Sequence, residues 1–104
     1  MGHATLIQVY LHTRDLMFRG KLRGVVSAAG AAVSRDATTA DLLVVELEST
    51  AWEERIREAV GRGVPVIAFG SHIQPERLRV ARALGAEAVP NSQIEARLGA
   101  RLQP

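Results

Sequence analysis

Two carboxylates set two residues apart, Glu46 and Glu48, close the apolar run Asp41-Leu-Leu-Val-Val-Glu-Leu-Glu48. Such a run reads as a strand buried on both faces of a parallel sheet. In open α/β sheets, ligands gather beyond the carboxyl ends of the strands, which is where both acids would stand. His12 and His72 each follow a strand-like run, and Asp15 is the nearest acid after the first of these runs. Two histidines and a carboxylate are a metal-binding donor set. Their spacing matches no zinc motif, so both histidines are read as loop donors and no metal is expected. Gly70-Ser71-His72 could cradle an anion at the start of the next helix. It carries one glycine, however, and neither G-x-G-x-x-G nor the P-loop spacing is present. Without a G-x-S-x-G elbow, Ser71 and His72 do not read as a hydrolase pair.

These residues must be positioned by alternating strands and helices. The first strand is expected over residues 4–11, rich in β-branched and aromatic side chains. Thr13 is then the expected N-cap of a helix from Arg14 to about Ala29, with Asp15 in its first turn. Phe18, Leu22, Val25 and Val26 form its inward stripe. Gly20 and Gly24, four apart, predict close packing on one face, and Gly30 ends the helix. Residues 31–34 are a second strand, and Asp41 opens the third. The link between these two strands is too short for the helix of an ordinary parallel crossover. Thr50-Ala-Trp-Glu53 reads as a capping box, with Trp52, Ile56, Ala59 and Val60 following at helical spacing. The fourth strand, Val64-Pro-Val-Ile-Ala-Phe69, leads to a helix with Pro75 at its first position and Leu78, Ala81 and Leu84 inward. Ala86–Val89 is a fifth strand, and Ser92-Gln-Ile-Glu95 a second capping box ahead of Ile94, Leu98 and Leu102. The pattern predicts a parallel sheet with helices on both faces.

Composition narrows the function classes. The 104 residues suit a single α/β domain, 1–104, and no apolar run nears the length of a membrane span. The amino terminus lacks a signal-peptide pattern. There are no cysteines, which excludes disulfides, thiolate metal sites and thiol catalysis and agrees with a cytoplasmic location. The isoelectric point near 9.9 accompanies a net charge of only +2. Arginines and glutamates intersperse along residues 53–62 as on a solvated helix face. With aromatics at 4% and no one-signed patch, nucleic-acid binding is not expected.

From Asp41 onward the chain resembles the receiver domains of two-component response regulators, the chemotaxis-regulator fold. Asp41-Leu-Leu-Val-Val-Glu46 matches the strand that ends in the phospho-accepting aspartate. Val64-Pro-Val-Ile-Ala-Phe-Gly-Ser71 matches the strand ending in a switch threonine or serine, and Gly85-Ala-Glu-Ala-Val-Pro-Asn-Ser92 the strand ending in a lysine. The resemblance implies a three-layer, flavodoxin-like fold with a five-stranded parallel sheet in the order 2-1-3-4-5, its second helix reduced or absent. It also implies that every chemical position is altered. Glu46 stands at the phospho-acceptor, Val9-Tyr10-Leu11-His12 replaces the region of the magnesium-holding acids, and Gly70 takes the switch position beside Ser71. The lysine position falls near Asn91 or Ser92. Lys21 is the only lysine of the chain and lies in the first helix. Phosphoryl transfer to a carboxylate relies on a metal and on cations that offset charge. Glutamate moves the attacking oxygen one methylene outward, and a displacement of about 1 Å can cost on the order of a hundredfold.

The expected function is therefore a non-enzymatic regulatory or protein-interaction module, a pseudo-receiver, with no cofactor. In this reading Glu46 either imitates a phosphorylated aspartate or is a solvent-exposed acid paired with an arginine. The family's usual contact surface would carry Arg77, Arg79, Arg82, Arg97 and Arg101 here, serving a protein partner or a homodimer. Two rivals are a small ligand- or metal-binding protein or enzyme using His12, Asp15, Glu46, Glu48, Gly70, Ser71 and His72, and a structural subunit of a larger assembly.

Overall fold

The computed structural model describes residues 6–103, so His3 and the expected first residues of the opening strand lie outside it. Five parallel strands pair in the order β2-β1-β3-β4-β5, formed by Gln8–His12 (β1), Ala32–Ser34 (β2), Leu42–Glu46 (β3), Val66–Gly70 (β4) and Glu87–Pro90 (β5). Four α-helices accompany them among the described residues: Leu16–Ala28 (α1), Trp52–Gly61 (α2), Pro75–Ala83 (α3) and Ile94–Leu102 (α4). Successive side chains on a strand face opposite sides, and the pleat divides the core accordingly. Val9, Leu11, Leu42, Val44, Ile67 and Phe69 pack against Leu22 and Val26 of α1 and Ile94 and Leu98 of α4. Leu43, Val45, Val66 and Ala68 pack against Ile56 and Ala59 of α2 and Leu78 and Ala81 of α3. The central strands β3 and β4 are buried along their whole length, which is why they carry unbroken apolar runs.

The crossover from β2 to β3 contains no α-helix. A single 3-10 turn, Ala37–Thr39, replaces it, held by Asp36, whose Oδ1 accepts from the Thr38 amide at 2.9 Å and from its hydroxyl at 2.6 Å. Ala37 and Ala40 bury their methyl groups beneath this turn, and Arg62 at the end of α2 donates to the Ala37 carbonyl at 2.8 Å. Gly30, Gly63 and Gly85 terminate the three preceding helices with positive φ, and a Cβ on Gly85 (φ +106°) would meet Val60 Cγ1 at 3.1 Å.

Several helix starts differ from the sequence-based expectation. α1 is capped by Asp15, which accepts from Met17 and Phe18, rather than by Thr13. Neither Thr50 nor Ser92 closes a capping box: α2 begins after Ala51 in a left-handed bend (φ 60°), and a 3-10 turn, Asn91–Gln93, precedes α4. Thr50 is drawn away because His12 Nε2 lies 2.7 Å from its carbonyl oxygen. Gly20 and Gly24 are not packing positions either. Both are exposed, and a Cβ at either would meet no neighbouring atom within 4 Å. No helix among the described residues is long and apolar enough to cross a membrane.

Candidate functional site

The pleat that sends Leu42 and Val44 toward α1 sends Glu46 the same way, at the end of the strand where α1 begins. The carboxylate is 8% exposed, and its Oε1 accepts from the backbone N–H of Arg14 at 2.7 Å and of Asp15 at 3.1 Å. This corrects the reading of Glu46 as a solvent-facing acid paired with an arginine. It is a buried carboxylate bonded to two loop amides, which satisfies donors that would otherwise be lost to water. Asp15, whose amide it holds, uses its own carboxylate to cap α1. Arg19 reaches back from α1 to the carbonyls of Leu11 and Thr13, so the β1–α1 loop is tied at both ends. The Thr13 hydroxyl oxygen is buried within this loop without a hydrogen-bond partner.

The turn after β3 is equally fixed. Leu47 N–H bonds the Phe69 carbonyl at 2.9 Å, and the Ser49 hydroxyl donates to the Glu46 carbonyl at 2.5 Å. Arg77 of α3 donates to the Leu47 carbonyl at 3.1 Å and approaches Glu48 at 3.7 Å. Glu48 is thus an exposed ion-pair partner and does not join Glu46. Leu47 turns to the opposite face of the sheet and lies against Gly70, where a Cβ would meet Leu47 Cβ and Cδ1 at 3.2 Å.

Ser71 and His72 line a different feature. A cleft of about 470 Å³ lies between α1, the β4–α3 turn and the β5–α4 turn, and Phe18, Lys21, Asn91, Ser92 and Glu95 complete its walls. His12 points elsewhere, stacked on Tyr10 and bonded to the Thr50 carbonyl. The carboxyl-edge residues singled out in the sequence therefore separate into two groups, Glu46 with the β1–α1 loop and Ser71 with His72 around the cleft. Among the described residues no group of three His, Asp or Glu side chains is arranged to hold a metal. Sequence reasoning missed Leu47 and Lys21. Alternation along β3 already implied that Leu47 faces away from Glu46, and Lys21 follows Phe18 by three residues, one turn along the same helix face.

Of the arginines expected at a contact surface, Arg82 donates to the Ala88 carbonyl at 2.9 Å, and Arg97 forks onto Glu87 across α4 and β5. Among the described residues Arg79 pairs only with Glu76 within its own helix, at 2.7 Å, and Arg101 is exposed at the end of α4.

No family model matches the sequence, and no curated protein matches it. Solved structures do. The receiver domain of the Francisella response regulator 1452 superposes with a TM-score of 0.71 at 13% identity, over 91% of this chain and 92% of that one. HP1043, an orphan response regulator of H. pylori, gives 0.70 at 16% identity over 93% and 97%. The fold is that of a response-regulator receiver domain. NtrX from Brucella abortus, a longer protein, gives 0.73 at 15% identity; this chain covers 27% of its length. Within the receiver fold, the 3-10 turn at Ala37–Thr39 stands in the crossover between β2 and β3. At these identities the likeness is one of fold.

Proposed function

We propose that this chain is a regulatory protein-interaction module built on a receiver fold, and that it works without phosphorylation of Glu46. The observation that carries this reading is the pair of bonds from the Arg14 and Asp15 amides to Glu46 Oε1. A phospho-accepting carboxylate has to offer an oxygen to the incoming phosphoryl group, with a divalent cation and further cations neutralising the charge. Here the inward oxygen already faces two N–H donors of the loop where the resemblance would put metal-binding acids. Asp15, the acid nearest to that loop, is engaged at the start of α1. The residues present do not suit a magnesium ion, since one buried carboxylate facing amide donors is not an oxygen cage of the kind that cation requires. The switch position is Gly70, and Leu47 fills the space beside it.

The contact surface in this reading is the outer face of α3, β5 and α4, with Arg79, paired within its own helix, and Arg101 as its exposed cations and a homodimer as its simplest assembly. Incubation with acetyl phosphate and magnesium, followed by intact-mass measurement, tests the chemistry. The expected result is an unchanged mass. A phosphoryl adduct that maps to Glu46 overturns the reading.

A further inference from the structure

We propose that the cleft between α1, the β4–α3 turn and the β5–α4 turn binds a small oxyanion, a phosphomonoester or a carboxylate, through the Lys21 ammonium. Its volume of about 470 Å³ falls in the range of small-molecule sites, about 300–1,000 Å³. The only lysine of the chain stands in its wall. The nearest acid, Glu95, lies 3.9 Å from the ammonium, with the two side chains 54% and 49% exposed. A contact at that distance in water is weak and readily exchanged for a better anion.

The other walls supply donors. Ser71 Oγ accepts from the Ile73 amide at 3.3 Å, which leaves its O–H free to donate. Among the described residues, no side-chain hydrogen bond engages Asn91, Ser92 or His72. Phe18, tilted against Phe69 with centroids 5.1 Å apart, gives the cleft one apolar wall that can accommodate the carbon frame of a ligand. Glu46 is not part of this cleft, so anion binding and phosphoryl transfer are separable properties.

The experiment is an amide NMR titration of the full chain, without magnesium, using inorganic phosphate in one arm and succinate in another, against sodium chloride at matched ionic strength. Saturable shifts at Lys21, Ser71 and Ser92 in either arm are expected, and the arm that responds identifies the oxyanion class. Loss of one charge-assisted contact should weaken binding at least about tenfold in Lys21→Ala. Lys21→Arg should retain binding, as should Arg23→Ala, which removes an exposed cation of the same helix outside the cleft. Shifts that do not saturate, that chloride reproduces, or that survive in Lys21→Ala overturn the proposal. Neither probe can phosphorylate a carboxylate, so a negative result here leaves the reading of Glu46 standing.

Discussion

At the scale of single residues, Glu46 both ends a strand and anchors a loop through two amide bonds. Its two amide partners lie 32 and 31 residues away in sequence, so nothing local to either segment reveals the contact. Glu46→Ala is expected to destabilise the domain by about 2–3 kcal/mol, because it leaves two part-buried N–H groups unpaired. Glu46→Gln keeps an acceptor oxygen and should cost less. Urea melts of the three proteins check the order, and an alanine variant as stable as wild type would mean that water replaces the carboxylate at no cost. Gly85 gives a second residue-level expectation. Its φ of +106° disfavours any side chain, and Val60 crowds the Cβ position. Gly85→Ala should therefore lose more than about 1 kcal/mol in the same melts.

At the scale of elements, the strands and the inward faces of the helices were legible and most of the helix starts were not. Apolar periodicity is a property of one segment, and the buried positions Leu22, Val26, Ile56, Leu78, Leu98 and Leu102 follow it. Caps depend on competition. Thr13 lost its expected role because the amides after it turn to Glu46, and Thr50 because its carbonyl faces His12. The β2–β3 turn carries a pH signature. The Thr38 hydroxyl and amide hold the Asp36 carboxyl below its usual value of 3.8. A carboxyl with a depressed folded pKa stabilises the fold above its unfolded value, and that contribution disappears as pH falls through the folded value. The stability difference between wild type and Thr38→Val should therefore be present at neutral pH and shrink below about pH 3.8. Thermal melts at several pH values measure it, and a difference that grows in acid would contradict the assignment.

The arginine surface is also an element-scale matter, spanning α3, β5 and α4. Arg77, Arg82 and Arg97 are engaged within the molecule, so changing them would confuse assembly with folding. Arg79→Glu combined with Arg101→Glu is the cleaner variant. Sedimentation should show weakened self-association with an unchanged melting temperature. A wild-type protein that stays monomeric at high concentration removes the homodimer, and a dimer indifferent to the double change moves the interface elsewhere.

At the scale of the whole molecule, three segments converge at the carboxyl edge, two fastened to neighbouring elements and one held by bonds within itself. The β1–α1 loop is held by Glu46 and Arg19, the β3–α2 turn by Phe69, Arg77 and His12, and the β4–α3 turn by Ser71 bonding within itself. A switch needs two near-equal arrangements for a ligand to bias, and this network favours one. Millimolar magnesium should then leave the melting temperature unchanged, since only a ligand that prefers the native state raises it. A clear rise that vanishes in Glu46→Gln would show a cation site at that carboxylate.

The contact between Leu47 and Gly70 constrains the order in which the chain could change. A hydroxyl side chain introduced at position 70 would bring a Cβ to 3.2 Å from two atoms of Leu47, one of them that residue's own Cβ, which cannot swing aside. Replacing Glu46 with aspartate would meanwhile release the amides that hold the first loop. Each of these single changes therefore begins with a loss of stability. A hydroxyl at position 70 therefore requires Leu47 to be shortened first, which makes the present arrangement act as a ratchet on its sequence.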